Sequence, residues 1–227
     1  MSEEEEEEEE GEEEVGASDG DPEEPPIVPT TEEGWLSAPP PGFIADLATA
    51  CIRFVERAVG VKLDFTPETL PLLDHYLESA RGTFSTSDPK EESLELVSQA
   101  AGAYLGEVIR RRYAGWWRLG AGASPDHRLE LHRLHLVIHP VHLVLDALTL
   151  DPNKPGAGSA LGGFDLDPAD AQLVSSRLAD LPPVELDEFV KPSTRLEVLD
   201  IVVDAVRAAD EAREAEPLAL APRDYVH

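Results

Sequence analysis

Five of the chain's seven histidines fall within sixteen positions, in HRLELHRLHLVIHPVH, residues 127–142. Neutral imidazole is a good ligand for zinc, copper and nickel, so His132, His135, His139 and His142 form a candidate metal set. Their spacing argues against one shared ion. On an extended strand residues 135 and 139 stand about 13 Å apart, whereas metal–nitrogen bonds are about 2 Å long. His132 and His135 lie near a turn, and His139 and His142 flank a helix start, so each pair supplies at most half a site. No H-E-x-x-H pattern is present. The stretch therefore reads first as the polar face of a half-buried sheet, with a metal-binding or metal-dependent protein as the alternative.

The remaining candidates are single groups. Glu107 sits in a helical stretch where Arg111 follows at i,i+4, the favourable order for an ion pair; as a buried carboxylate it could instead do acid–base work, but no motif anchors a nucleophile or second acid to it. Arg110, Arg111 and Arg112 make the densest basic cluster, suited to a helix C-terminus or to docking a partner's carboxylates. Trp116 and Trp117 alternate across a strand, so one is expected in the core and the other exposed or in a groove as a contact. Cys51 on an apolar helix reads as a small buried side chain. Being the sole cysteine, it allows neither an intrachain disulfide nor a cysteine-based zinc site. GAGSALGG lacks the Gly-Lys-Ser/Thr ending of a phosphate loop and follows a helix rather than a strand. No cofactor motif is found.

Charge narrows the partners. The net charge is −29, and residues 1–33 hold seventeen Asp and Glu and no Lys or Arg, leaving −12 on the other 194. Such a field repels nucleic-acid phosphate and anionic lipid and favours basic partners. No apolar run reaches the length of a membrane span, and MSEEEEEEEE is the opposite of a signal peptide, so a cytoplasmic location without membrane insertion is expected.

The elements that must position these groups follow from periodicity. Residues 1–41 are Glu-rich and then Pro-rich and predict a disordered arm. Its exceptions, Trp35 and Leu36, read as an incidental apolar pair or as a contact docked on the body or a partner. Residues 42–150 predict an α+β domain. Its first helix spans 43–59 with Gly60 as stop, and a second runs from Thr66–Pro67 to Arg81–Gly82, followed by a loop. A central helix covers about 90–113, with Asp88-Pro89 as its cap. Gly102 and Gly106 inside it each cost about 1 kcal/mol against alanine, which makes sense if another element approaches closely.

A strand at Gly115-Trp-Trp precedes the histidine stretch, where the apolar face changes parity around His132–Arg133. A tight turn there would set Leu131 against Leu134 and Leu129 against Leu136, with Glu130 opposite His135; a bulge is the alternative. Pro140 then opens a helix after His139. Residues 151–163 read as a linker, and 164–215 as a mainly helical C-terminal lobe. In that lobe a helix starts at Asp167–Pro168, LPPVELDEF is extended, and Thr194-x-x-Glu197 is a capping box. Residues 216–227 should fray or pack as an extended tail.

Residues 102–117, GAYLGEVIRRRYAGWW, resemble a bacterial family of unknown function in which a G-x-Y-x-G-E-V helix is followed by a Gly-Trp strand, a hairpin and a proline-initiated helix. The matching positions are Gly102, Tyr104, Gly106, Glu107, Gly115, Trp116 or Trp117, and Pro140, and the likeness covers roughly 43–150. It implies an α+β fold and carries no catalytic activity across; Glu107 and the tryptophans are the positions it directs attention to. The resulting expectation is a non-enzymatic bacterial accessory protein whose folded domain binds another protein, with Glu107, Arg110, Arg111, Trp116 and Trp117 as contact candidates, while the acidic arm recruits a basic partner or aids solubility. Neutralisation of a basic toxin is a second alternative.

Overall fold

The computed structural model describes residues 28–86, 91–120, 127–151 and 158–225. The expected disorder of residues 1–27 and the Asp88-Pro89 cap lie outside them. In chain order the elements are α1 (Glu32–Ser37), α2 (Gly42–Val59), α3 (Leu70–Thr86), α4 (Glu91–Arg112), β1 (Gly115–Arg118), β2 (Arg128–Leu131), β3 (Leu136–Ile138), α5 (Pro140–Thr149), β4 (Phe164–Leu166), α6 (Pro168–Ala179), α7 (Leu186–Phe189) and α8 (Pro192–Ala212). The fold is α+β. The strands form one antiparallel sheet in the order β1-β2-β3-β4.

α4 is the centre of the core because small residues let neighbours in on several sides. From Ala100 to Arg110 every residue is buried, with α2 and α5 as its main contacts. A Cβ on Gly102 would stand 2.7 Å from the Cα of Val141 in α5, and one on Gly106 would stand 2.2 Å from the Trp117 ring. Both distances lie inside atomic contact, so the two glycines are required by the close approach that the sequence suggested. Gly102→Ala should gain about 1 kcal/mol of helix propensity and still destabilise the protein by about 1–3 kcal/mol, because the obstacle is backbone. A chemical-denaturation midpoint checks this; a gain in stability would show that α5 yields easily.

α2 ends as expected at Gly60, whose φ of 80° is the left-handed C-cap. α3 departs from expectation. It is preceded by a single 3-10 turn at Pro67–Thr69, and it continues past Gly82 to Thr86. Asp64, not Thr66, holds its entrance: one carboxylate oxygen accepts from the Thr66 N–H (2.9 Å), the Thr66 hydroxyl (2.7 Å) and the Thr69 hydroxyl (3.0 Å). A glycine interrupts a helix only when its left-handed conformation is used, and Gly82 stays helical.

The histidine stretch does form a hairpin, but with another register. Leu129 pairs with Ile138 and Glu130 with Val137, so the loop is residues 132–135 rather than 132–133. The favoured two-residue turns need positive φ at one or both central positions, and no residue of this loop has it. Leu129, Leu131, Leu134 and Leu136 are nevertheless all buried.

The segment expected as a separate lobe adds β4 to the sheet, and α8 enters the same hydrophobic core as α2–α5. Residues 186–189 of the expected extended run are helical. α8 begins at Pro192, before the predicted capping box, and its cap comes from α3. The Asp74 carboxylate accepts from the Ser193 N–H (3.2 Å) and hydroxyl (2.5 Å). Asp74 is nearly buried, and desolvation raises its pKa above 3.8 in spite of the Ser193 hydrogen bonds. A carboxyl whose folded pKa is raised contributes stability that is full below its unfolded pKa and lost as pH rises through the folded value. Asp74→Asn should therefore remove a decline in stability with rising pH that begins near pH 4, read from unfolding midpoints across pH 3–7. An unchanged pH profile would mean that Asp74 does not titrate in the fold.

Candidate functional site

Glu107 is 1% exposed and binds its neighbours through both oxygens. One oxygen accepts from Arg110 Nε (2.8 Å) and Trp117 Nε1 (2.8 Å), the other from Arg110 Nη2 (3.0 Å). The other Arg110 nitrogen reaches the Trp35 carbonyl at 3.0 Å. Arg111, the i,i+4 partner expected from sequence, is 3.9 Å away and half exposed, with its guanidinium over Phe65. Phe65 stacks on Tyr104, whose hydroxyl accepts from the Phe65 N–H. Each motif residue thus has a packing role. Gly102 admits α5, Gly106 admits Trp117, Tyr104 holds the entrance of α3, and Glu107 joins helix to sheet. Of the five contact candidates, Glu107, Arg110, Trp116 and Trp117 are interior, and Arg111 alone is exposed.

The tryptophans do alternate, but neither is exposed. Trp117 faces the main core with Leu129 and Ile138. Trp116 faces the other side of the sheet, which the two ends of the described chain cover. Trp35 of α1 packs on Trp116 with ring centroids 4.7 Å apart, and Tyr225 meets Trp116 edge to face at 5.6 Å. Residues 28–41 are therefore not wholly tail: α1 anchors them, and Glu32 pairs with Arg133 at 3.1 Å. Under this cover Glu130, fully buried, accepts from Trp116 Nε1 (2.7 Å), from Arg128 Nε (3.0 Å) and twice from Arg118. The Tyr225 hydroxyl donates to the hairpin, with the Leu134 carbonyl at 2.5 Å and the Leu131 carbonyl at 2.7 Å, and accepts from the Leu136 N–H at 3.1 Å. Both buried glutamates accept from protein donors through both oxygens and are closed to solvent, so neither can meet a substrate in this arrangement.

The histidines are dispersed in the same way. His132 bonds the Leu220 carbonyl through Nδ1 at 2.7 Å, His135 stacks on Tyr225, and His139 stacks on His142 and reaches Asp165 at 2.9 Å. Among the described residues no three His, Cys, Asp or Glu side chains are placed to hold a metal ion. Cys51 is buried, and desolvation pushes its thiol up to about 12, so it is a core residue and no nucleophile at neutral pH.

An open concavity lies elsewhere, between the C-terminal end of α6, the Leu181–Glu185 connection, α7 and the first turns of α8. It encloses about 720 Å³, within the range of ligand and docking pockets. Leu178, Leu181, Val184, Leu186, Phe189 and Val198 supply most of its wall. Leu181 and Val184 remain 43% and 51% exposed, unusual for side chains so apolar and so close together. The reason is local sequence. Pro182 and Pro183 have no N–H and end both helix and strand, so this connection spans the gap between α6 and α8 without packing into it.

The rim is acidic. Residues 178–201 contain six acids and two bases. Of the bases, Arg195 is buried beneath the groove against Phe164 and Phe189, and Lys191 is paired with Glu188 at 2.5 Å. Glu197 lines the groove, and Asp180, Glu185 and Asp187, in the segments that carry its wall, are exposed. The sequence reading missed this site. Its signal was the pair of apolar residues flanking Pro182–Pro183 in a segment rich in carboxylates.

Among the described residues no helix is long and apolar enough to cross a membrane. Comparison with family models, curated proteins and solved structures finds no match to this chain.

Proposed function

We propose that the protein is a non-enzymatic interaction protein that holds a basic partner protein. The observation that supports this reading best is the apolar, carboxylate-rimmed groove over α8, in a fold whose motif residues serve packing. The acidic residues of 1–33 extend the same charge outward and raise the encounter rate with cations. The reading places the protein in the bacterial cytoplasm and keeps the resemblance of residues 43–150 as a likeness of fold. Neutralisation of one basic toxin is a narrower form of it, marked by tight association with a single protein.

A pull-down from native lysate tests the proposal, using the full chain and a full-length variant in which the eleven glutamates of 3–14 are glutamine. The expected result is recovery of one basic protein, weaker with the variant and weaker at high salt. Recovery of nothing by either chain at low salt would contradict it.

A further inference from the structure

We infer that the groove between α6, α7 and α8 takes an amphipathic helix of the partner, with apolar residues on one face and lysine or arginine beside them. This rests on the proposed reading and specifies the element recognised. Three observations determine the occupant.

The first is charge. Within residues 178–201 both bases are buried or paired while Asp180, Glu185, Asp187 and Glu197 are exposed, and even with the exposed Arg177 beside them the surround is net acidic, which favours an occupant that brings cations. That excludes the chain's own first 27 residues, which carry fifteen acids and no base, and disfavours a second copy of a chain with net charge −29.

The second is the chemistry of the wall. Pro182 and Pro183 offer no N–H, and apart from their own connection and the turn residues Gly158 and Ala160 the walls are helices. An extended peptide binds either by adding to a sheet edge through main-chain hydrogen bonds or by docking as a polyproline helix in an aromatic-lined groove; no strand lines this groove, and Phe189 is the single aromatic residue among its lining residues. A helix needs none of these bonds, because its own backbone is satisfied internally.

The third is shape. The groove is apolar at its base through Leu186, Phe189 and Val198, and its charge is at the rim. Anchors at i, i+3, i+4 and i+7 with basic flanks match that distribution.

The test is fluorescence anisotropy with the full-length protein and a labelled peptide of leucine and lysine, about 15 residues long so that it can form a helix, with all leucines on one face. A scrambled peptide of the same composition spreads them around the helix. The protein variant is Leu181→Glu with Val184→Glu, both at exposed positions, so folding is retained and can be confirmed by circular dichroism. Because this variant adds negative charge, purely electrostatic binding would become tighter. The expected result is the opposite: at least 10-fold weaker binding of the one-faced peptide, and at least 10-fold weaker binding of the scrambled peptide to the unaltered protein. Equal binding of both peptides, or tighter binding by the variant, would overturn the helix site while leaving recruitment of basic partners standing. No binding of either peptide at low salt would overturn both.

Discussion

Glu107→Ala should destabilise the protein by about 3–5 kcal/mol, the usual cost of removing one partner from a buried ion pair. The Arg110 guanidinium is the reason. Its side chain is only 6% exposed, and without Glu107 it keeps its bond to the Trp35 carbonyl but loses its counter-charge. Trp117 Nε1 loses its acceptor as well. A second substitution separates charge from packing. Glu107→Leu combined with Arg110→Met removes both charges and should recover part of the loss, because a buried pair is worth little against well-packed apolar groups. Recovery stays incomplete, since Trp117 Nε1 and the Trp35 carbonyl are then left without a partner at about 1–3 kcal/mol each. Urea unfolding followed by tryptophan fluorescence reads both variants. A Glu107→Ala loss below about 1 kcal/mol, the range of surface pairs, would mean that water reaches the site.

Trp35→Ala has the second large effect, and its character differs. Truncating a buried tryptophan costs about 3–5 kcal/mol, more than a six-residue helix can withstand alone. α1 lies at the edge of the fold, so it can leave without unfolding the body. Hydrogen exchange should therefore show protection lost over residues 32–38 and kept in α4. Trp116, stripped of its cover, should emit at longer wavelength. Loss of protection throughout α4 would show instead that α1 belongs to the cooperative core.

These two predictions turn on what was and was not legible in the sequence. Helices α2, α4, α5 and α6 were readable because their apolar residues repeat at helical spacing and their ends carry Gly60, Pro140 or Pro168. The need for close approach at Gly102 and Gly106 was readable from the cost of glycine in a helix. Interactions between residues distant in sequence were not. Asp74 caps α8 from 119 positions away, Tyr225 closes the hairpin loop from 94 positions away, and Trp35 covers Trp116. Local rules assigned a capping box to Thr194, a tight turn or a bulge to His132–Arg133, and a frayed or packed extended tail to the C-terminus without naming its contacts, because they weigh only neighbours in sequence.

The site residues follow the same division. Glu107, Arg110, Trp116 and Trp117 were conspicuous as a motif, and such a pattern of aromatic and charged types looks alike whether it faces a partner or the interior. The structure places it in the interior, where indole N–H groups satisfy buried carboxylates. The histidines were conspicuous by density, and the loop and helix start distribute them among separate partners. The groove was inconspicuous because its residues are ordinary. Pro182–Pro183 keeps Leu181 and Val184 out of helix and strand, and the arrangement of α6, α7 and α8 makes a groove beside them.

The most direct test of the interaction reading is photo-crosslinking in the native cell, with a photoreactive amino acid at Val184 in the groove and, as control, at the similarly exposed Val61. One discrete adduct with a basic protein is expected from position 184 and none from position 61, with the adduct lost when Leu181 is replaced by glutamate. Adducts from both positions alike, or none from position 184, would contradict that reading.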